Sequence, residues 1–170
     1  MSIQLSELNK RVVVFDIDGC LIDSFDRLPH LLQGDRAKYD ELHPTDRTIP
    51  AGVVVYQALL KDPHMTCVFI TSRSENGRDY TEKQLALSLG SAAYDVPLLM
   101  RPVEEDWIPD TELKPRLLKE AGYTPDDVLL VIEDSATMNA HWRSLGITCW
   151  QTLPDAKPHT PENYAEDASK

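Results

Sequence analysis

The 170-residue chain predicts an α/β protein built on a doubly wound, Rossmann-like parallel sheet of five strands. Three observations carry this. Short runs rich in β-branched and aromatic residues alternate with stretches of helical apolar spacing. The strand runs are apolar throughout, as in strands covered on both faces. Several end abruptly in polar residues, where a parallel sheet presents a ligand site beyond its carboxyl edge.

Residues 1–10 form a polar lead-in. Val12 to Phe15 is the buried central strand, running into Asp16-Ile17-Asp18-Gly19-Cys20-Leu21. Acids two apart share one face of an extended chain, and Gly19 permits a tight turn away from the sheet. Phe25 to Leu32 has an apolar set suited to a short helical turn, interrupted by Pro29. Gln33 to Arg47 is almost wholly polar and reads as a surface loop. Thr48 is placed to cap a helix with Pro50 in its first turn, Val53 to Leu60 as its body and Asp62-Pro63 as its stop.

Thr66 to Ile70 is the second strand, ending in Thr71-Ser72-Arg73. Asp79 to Leu89 has helical spacing through Tyr80, Leu85 and Leu89, with Gly90 past its end. Val96 to Met100 is the third strand, followed by Arg101-Pro102 and an acidic loop over 103–109. Pro115 to Ala121 reads as a helix with Lys114 just before it. Asp127 to Ile132 is the fourth strand, ending in Glu133-Asp134-Ser135. Met138 to Leu145 is a helix closed by Gly146, and Ile147 to Gln151 the fifth strand. Residues 152–170 are Pro-rich and polar, which leaves 1–151 as one domain and the rest as a tail. Trp107 offers a ring able to stack on a base, but reads foremost as a loop residue capping the core, and Trp142 and Trp150 read as core.

The formal net charge of -11 favours solubility and argues against a protein that coats nucleic acid generally. Cys20, Cys67 and Cys149 are odd in number and widely spaced, which points to a reducing compartment and no zinc site. No stretch has the length of a membrane span or the form of a secretory leader, so the expected place is the cytoplasm. No Gly is followed by Lys, so a phosphate-loop kinase half is not expected in the chain.

The chemistry sits at three strand tips: Asp16 and Asp18, Thr71, and Glu133 with Asp134. Two like charges about 4 Å apart cost roughly 4 kcal/mol at an effective dielectric near 20, so such a gathering of acids calls for a cation. All-oxygen ligands suit magnesium.

These residues, in this order and with Lys114 between the last two tips, resemble the motifs of haloacid dehalogenase-like phosphohydrolases over about residues 11–151. A closer resemblance is to the 3′-phosphatase domains of bacteriophage polynucleotide kinase-phosphatases. It is carried by Arg27, Ile70-Thr71-Ser72-Arg73, Val96-Pro97-Leu98-Leu99-Met100 and the run from Trp142 to Gln151. The resemblance implies Asp16 as nucleophile through an aspartyl-phosphate, and Asp18 as general acid and base. Thr71 would bond a phosphoryl oxygen, and Lys114 would balance charge on the nucleophile. Magnesium would bind Asp16, the Asp18 backbone carbonyl and Asp134, with Glu133 orienting water; which of the two neighbouring acids touches the metal is left open. Arg27, Ser72, Arg73 and, more weakly, Arg101 are the substrate-binding candidates. Cys20 stands where the family commonly has Thr, and Ser72 where the phage enzyme has Gly.

The stretches between Asp18, Thr71 and Lys114 leave no room for a large cap domain, so an open site is expected. The function expected is a magnesium-dependent phosphomonoesterase acting on a terminal phosphate, foremost a polynucleotide 3′-phosphate. A phosphatase of free nucleotides is the alternative, and a non-catalytic binding module on the same fold the third reading.

Overall fold

The structure, a computed structural model, describes residues 11–27, 29–30, 33–35, 38–39, 42–43, 46–105 and 107–152. Its main sheet has five strands, β1 (Val12–Asp16), β4 (Thr66–Ser74), β5 (Leu98–Arg101), β6 (Val128–Glu133) and β7 (Cys149–Gln151). The spatial order is β5-β4-β1-β6-β7 and every pairing is parallel. Between β1 and β4, the short strands β2 (Ile22–Asp23) and β3 (Arg47–Thr48) pair antiparallel at the base of an excursion. The helices are α1 (Pro50–Leu60), α2 (Arg78–Leu89), α3 (Asp110–Glu120) and α4 (Ala136–Ser144).

The alternation along β1 explains the two layers. Val13 and Phe15 face a core completed by Tyr56 of α1 and by Leu85 and Leu89 of α2. Val12 and Val14 face the opposite core, completed by Leu113, Leu117 and Leu118 of α3 and Met138 and Trp142 of α4. All five β1 residues are buried, as a strand covered on both faces requires. The doubly wound parallel sheet of the sequence reading is therefore the architecture, and the excursion over residues 24–46 is too short for a large cap.

Several element boundaries differ from expectation, each for a tertiary reason. The helix expected from Pro115 begins at Asp110, so Lys114 lies inside α3 rather than before it. Pro115 forfeits one backbone hydrogen bond there, a cost set against burial of Leu113, Leu117 and Leu118 on one face. Thr48 is not the cap of α1: Ile49 occupies that position without a side-chain bond, and the Thr48 hydroxyl donates to Ser88 Oγ at 2.9 Å. Strand β4 continues through Thr71, Ser72 and Arg73 to Ser74, so these residues extend the strand beyond the expected tip.

The span from Phe25 contains a single 3₁₀ turn, Phe25–Arg27; Leu28, Leu31 and Leu32 lie outside the described residues. The polar stretch 33–47 is no plain surface loop, since Tyr39 is buried and the Asp46 side chain is almost fully so. Trp142 is core, whereas Trp107 and Trp150 are exposed: the first stands out from its loop and the second lies on an edge strand whose Cys149 takes the inward position. The polar tail from residue 153 lies outside the described residues.

Candidate active site

The turn after β1 is a compact knot. Gly19, Leu21 and Ile22 close it through backbone bonds between residues 17 and 22 of 2.8–2.9 Å. Gly19 adopts φ of 75°, and a Cβ there would lie 2.3 Å from Asp134 Oδ2. A side chain would therefore be strained by backbone and blocked by the neighbouring carboxylate at once. A Cβ on Gly52, near the start of α1, would lie 2.0 Å from the Cys20 carbonyl oxygen, so α1 presses directly against the same turn.

The knot delivers two aspartates to two different surroundings. Asp16, at the end of β1, accepts a hydrogen bond from Lys114 Nζ at 2.7 Å. The same ammonium donates to Glu133 Oε2 at 2.9 Å, and all three groups are buried. Burial pushes the Asp16 carboxyl up; the Lys114 charge opposes this, while Glu133 and Asp134 add to it. Burial alone would lower Lys114, but the charges of Asp16 and Glu133 outweigh it and hold the ammonium protonated. Glu133 is likewise raised by burial, against the pull of Lys114. Its other oxygen accepts the Ser135 backbone N–H at 3.3 Å, so both oxygens are engaged within the chain.

The β6–α4 corner is held by Asn139, which donates to the carbonyls of Glu133 and Ser135, while Ser135 Oγ accepts the Met138 N–H as helix cap. Gln151 Nε2 donates to the Asp134 carbonyl at 3.3 Å. Asp16, Cys20 and Asp134 thereby offer ligand atoms all within 4.8 Å of one another. Burial, then Asp16 and Asp134, raise the Cys20 thiol, which keeps its proton and leaves the carboxylates as the charged donors. Two acids on one ammonium, with a third acid at metal-ligand separation from the first, fit a hard divalent cation.

Asp18 meets the opposite environment. Arg73 grips both its oxygens, through Nε and Nη2 at 2.8 Å each, and Arg27 Nη2 adds a third bond at 3.1 Å. Burial raises the Asp18 carboxyl, but the Arg73 charge and bonds, followed by Arg27, outweigh it and hold the group well below the usual carboxylate range. The two arginines are fixed in turn. Arg27 is stacked over Tyr39 at 4.0 Å and donates Nε to both oxygens of Asp46 at 2.8 Å. Arg73 donates to Gln84 Oε1 at 2.7 Å, and Gln84 reaches Asp46 at 3.3 Å. Thr71 lies buried beside them on β4, its hydroxyl accepting the Arg73 backbone N–H at 3.2 Å.

The structure thus brings Asp16, Asp18, Thr71, Lys114, Glu133 and Asp134 to one edge of the sheet, with Arg27 and Arg73 against Asp18. It does not bring Arg101 to them. That guanidinium donates to the carbonyls of Ser72, Glu105 and Ile108 and to Asp110, which makes it a clamp for the β5–α3 loop. Ser72 Oγ is buried and makes no hydrogen bond among the described residues. Sequence reasoning missed Asp46, Gln84, Tyr39 and His43, whose Nε2 lies 3.1 Å from Arg27 Nη1. Nothing local marks them: they sit in a polar stretch and on a helix face, and only folding closes them around the arginines.

A buried aspartate-and-lysine pair, a second acid two residues on, a strand-borne threonine and a strand-end acid pair, all on a doubly wound sheet, mark a haloacid dehalogenase-like phosphatase. The chain belongs to the polynucleotide kinase PNKP phosphatase domain family, whose model matches residues 10–156. Solved structures give the same fold. A chain of the Pnkp1/Rnl/Hen1 complex aligns with a TM-score of 0.63 at 23% identity, over 86% of this chain and 46% of that one. A chain of the Pnkp1/Rnl/Hen1 RNA repair complex aligns with 0.64 at 23%, over 88% and 44%. This chain therefore spans just under half the length of those two. CbbY from Rhodobacter sphaeroides, solved in complex with phosphate, aligns with 0.60 at 10%, over 82% and 84%. No curated protein matches the chain by sequence. No helix among the described residues is long and apolar enough to cross a membrane.

Proposed function

We propose that this phosphatase is magnesium-dependent and removes a terminal 3′-phosphate from a polynucleotide end through an aspartyl-phosphate on Asp16. The observation that carries the reading is the divergence of the two aspartates. Asp16 is buried against an ammonium and two further acids, and Asp18 is held as a carboxylate by two arginines.

Asp16 attacks phosphorus, and the bond to the leaving oxygen breaks as the new P–O bond forms. Lys114 stays hydrogen-bonded to Asp16 and fixes its rotamer, while Glu133 anchors the lysine from behind. Asp16, Asp134 and the Asp18 backbone carbonyl would hold the magnesium, which neutralises charge between nucleophile and anionic substrate. The Thr71 hydroxyl, already beside β4's backbone, donates to a phosphoryl oxygen.

Asp18 begins ionised. A phosphate dianion beside it raises its proton affinity by like-charge repulsion, so Asp18 takes up a proton from solvent as the substrate binds and passes it to the leaving oxygen. In the second half Asp18 takes a proton from the attacking water, and the Asp16–phosphate bond breaks to release inorganic phosphate. Arg73 and Arg27 position Asp18 for both transfers. In this reading they act through the acid instead of binding the substrate directly.

Family membership and the likeness to chains of RNA repair assemblies support a polynucleotide end as substrate. The second reading, a phosphatase of free nucleotides, is favoured by the net charge of -11, since basic contacts and counterion release drive polynucleotide affinity. Turnover of a 3′-phosphorylated oligonucleotide is the deciding measurement, compared with that of 3′- and 5′-mononucleotides at equal concentration. A higher kcat/KM on the oligonucleotide is expected. Equal or better turnover of mononucleotides would replace the first reading by the second.

A further inference from the structure

Trp107 is the most exposed tryptophan of the chain, at 77%, yet described residues on either side of it in the loop are held by hydrogen bonds. Arg101, itself buried, donates Nη1 to the carbonyls of Glu105 at 2.8 Å and Ile108 at 2.7 Å, which flank Trp107 in the chain. Its Nη2 pairs with Asp110 at 2.6 Å, and Arg116 of α3 pairs with Glu105. The Ile108 N–H donates to the Glu105 carbonyl, and the Ile108 side chain is buried in the core. An exposed indole on a fixed backbone loses little conformational freedom when it binds a planar partner.

The clamp also sets where the backbone of residue 107 stands. The same guanidinium that holds the Ile108 carbonyl donates Nε to the Ser72 carbonyl at 3.2 Å. Two bonds through one guanidinium put those carbonyls within roughly 8 Å of each other. Ser72 directly follows Thr71, and Lys114 lies in the helix that the loop enters. The Trp107 backbone therefore lies at the carboxyl edge of the sheet, one residue from a carbonyl tied to the strand that carries Thr71. The loop's Glu105 and Asp110 are paired with Arg116 and Arg101, which spares an approaching polyanion part of its acidity.

We infer that Trp107 is a stacking platform for a nucleobase of the substrate, one that lies next to the terminal phosphate. The inference rests on the polynucleotide reading above and narrows it: the end must present a base face not covered by a stacked neighbour, as a single-stranded or frayed end does. Stacking tolerates any base, so recognition through Trp107 is independent of sequence. It also gives an acidic protein a way to hold a polynucleotide without a basic groove.

The test compares wild type with Trp107→Ala and Trp107→Phe on two 3′-phosphorylated oligothymidylates, one intact and one whose last two sugars lack bases. Trp107→Ala is expected to raise KM about tenfold or more on the intact strand and to leave kcat unchanged. It should leave kcat/KM on the baseless end unaltered, and Trp107→Phe should restore most of the loss. Quenching of tryptophan fluorescence by the intact strand should fall in Trp107→Phe, against the background of Trp142 and Trp150. Equal losses on both strands would make Trp107 structural and overturn the inference, as would no loss on either. In the latter case a wild type that still prefers the oligonucleotide to mononucleotides leaves the polynucleotide reading standing. A wild type with no such preference removes that reading on its own evidence, and the stacking site with it.

Discussion

Asp16 and Asp18 are the same residue type, two positions apart on one turn, and they end in opposite electrostatic surroundings. The Asp16 side gathers Asp16 and Glu133 on the ammonium of Lys114, with Asp134 within ligand distance of Asp16. The Asp18 side gathers Asp18 and Asp46 around two guanidinium groups, Arg27 and Arg73. The first cluster carries an excess of buried acid and the second is balanced. The difference separates a half whose charges are balanced within the chain from a half that, in the proposed reading, takes a cation. It also separates the roles: the residue kept nearly dry, with a side chain 7% exposed, suits a nucleophile. The residue left 25% exposed suits exchange of protons with substrate and water.

The sharpest way to break the comparison is to remove each carboxylate in turn. Asp16→Asn is expected to abolish turnover and to leave no phosphoenzyme, because a neutral amide is a poor nucleophile. Asp18→Asn is expected to cripple turnover of substrates with poor leaving groups. With a good leaving group its first step survives, and an acyl phosphate accumulates that hydroxylamine cleaves. Phosphate labelling of each purified variant, with circular dichroism as control, measures this. Wild-type labelling of Asp16→Asn would interchange or remove the assigned roles.

Removal of metal addresses the unbalanced half alone. Chelation is expected to abolish activity and magnesium to restore it, while zinc alone does not substitute. Full activity after stripping would show that the acidic excess serves something other than a cation.

The balanced half is tested by breaking its buried pairs. Taking one partner from a buried, hydrogen-bonded charge network typically costs about 3–5 kcal/mol, so Arg73→Ala should lower the denaturation midpoint clearly. Arg73→Lys keeps the charge but loses the two-pronged grip, and should retain more stability than activity. Its kcat should fall on polynucleotide and on a small aryl phosphate alike, since Arg73 acts through Asp18. A loss confined to the polynucleotide would return Arg73 to substrate recognition.

The smallest effect is on stability against pH. Asp18 is depressed in the folded protein, so its stabilisation is present above the unfolded carboxylate value and disappears only as pH falls through the lower folded one. Asp16 and Glu133 are raised, so their contribution is fullest below the unfolded value and is lost as pH rises through the folded one. Metal-free protein should therefore melt higher at about pH 5 than at about pH 8, where Asp18 contributes constantly. Saturating magnesium should flatten or reverse that slope. A metal-free melting temperature that rises with pH across this range would contradict the assigned excess of acid.

The sequence by itself determined the sheet, its covered faces and the polar strand ends. These are local properties: a run such as Val12-Val13-Val14-Phe15 must be buried, and an Asp-x-Asp-Gly at its end must turn. Because parallel strands all present their carboxyl ends at one edge, Thr71, Glu133 and Asp134 could be placed beside Asp16 before any contact was seen. Tertiary structure alone decided what each of them touches. Lys114 reaches Asp16 across 98 residues of chain, and does so from within a helix that the sequence places after it. Arg27 and Arg73 read as exposed substrate contacts, but Asp46 and Gln84, remote in sequence, close around them and turn them toward Asp18. Trp107 reads foremost as a loop residue capping the core, yet it stands exposed on a loop that Arg101 clamps. Burial follows from local pattern, whereas the partner of a charge depends on which distant groups the packed elements bring within hydrogen-bond reach.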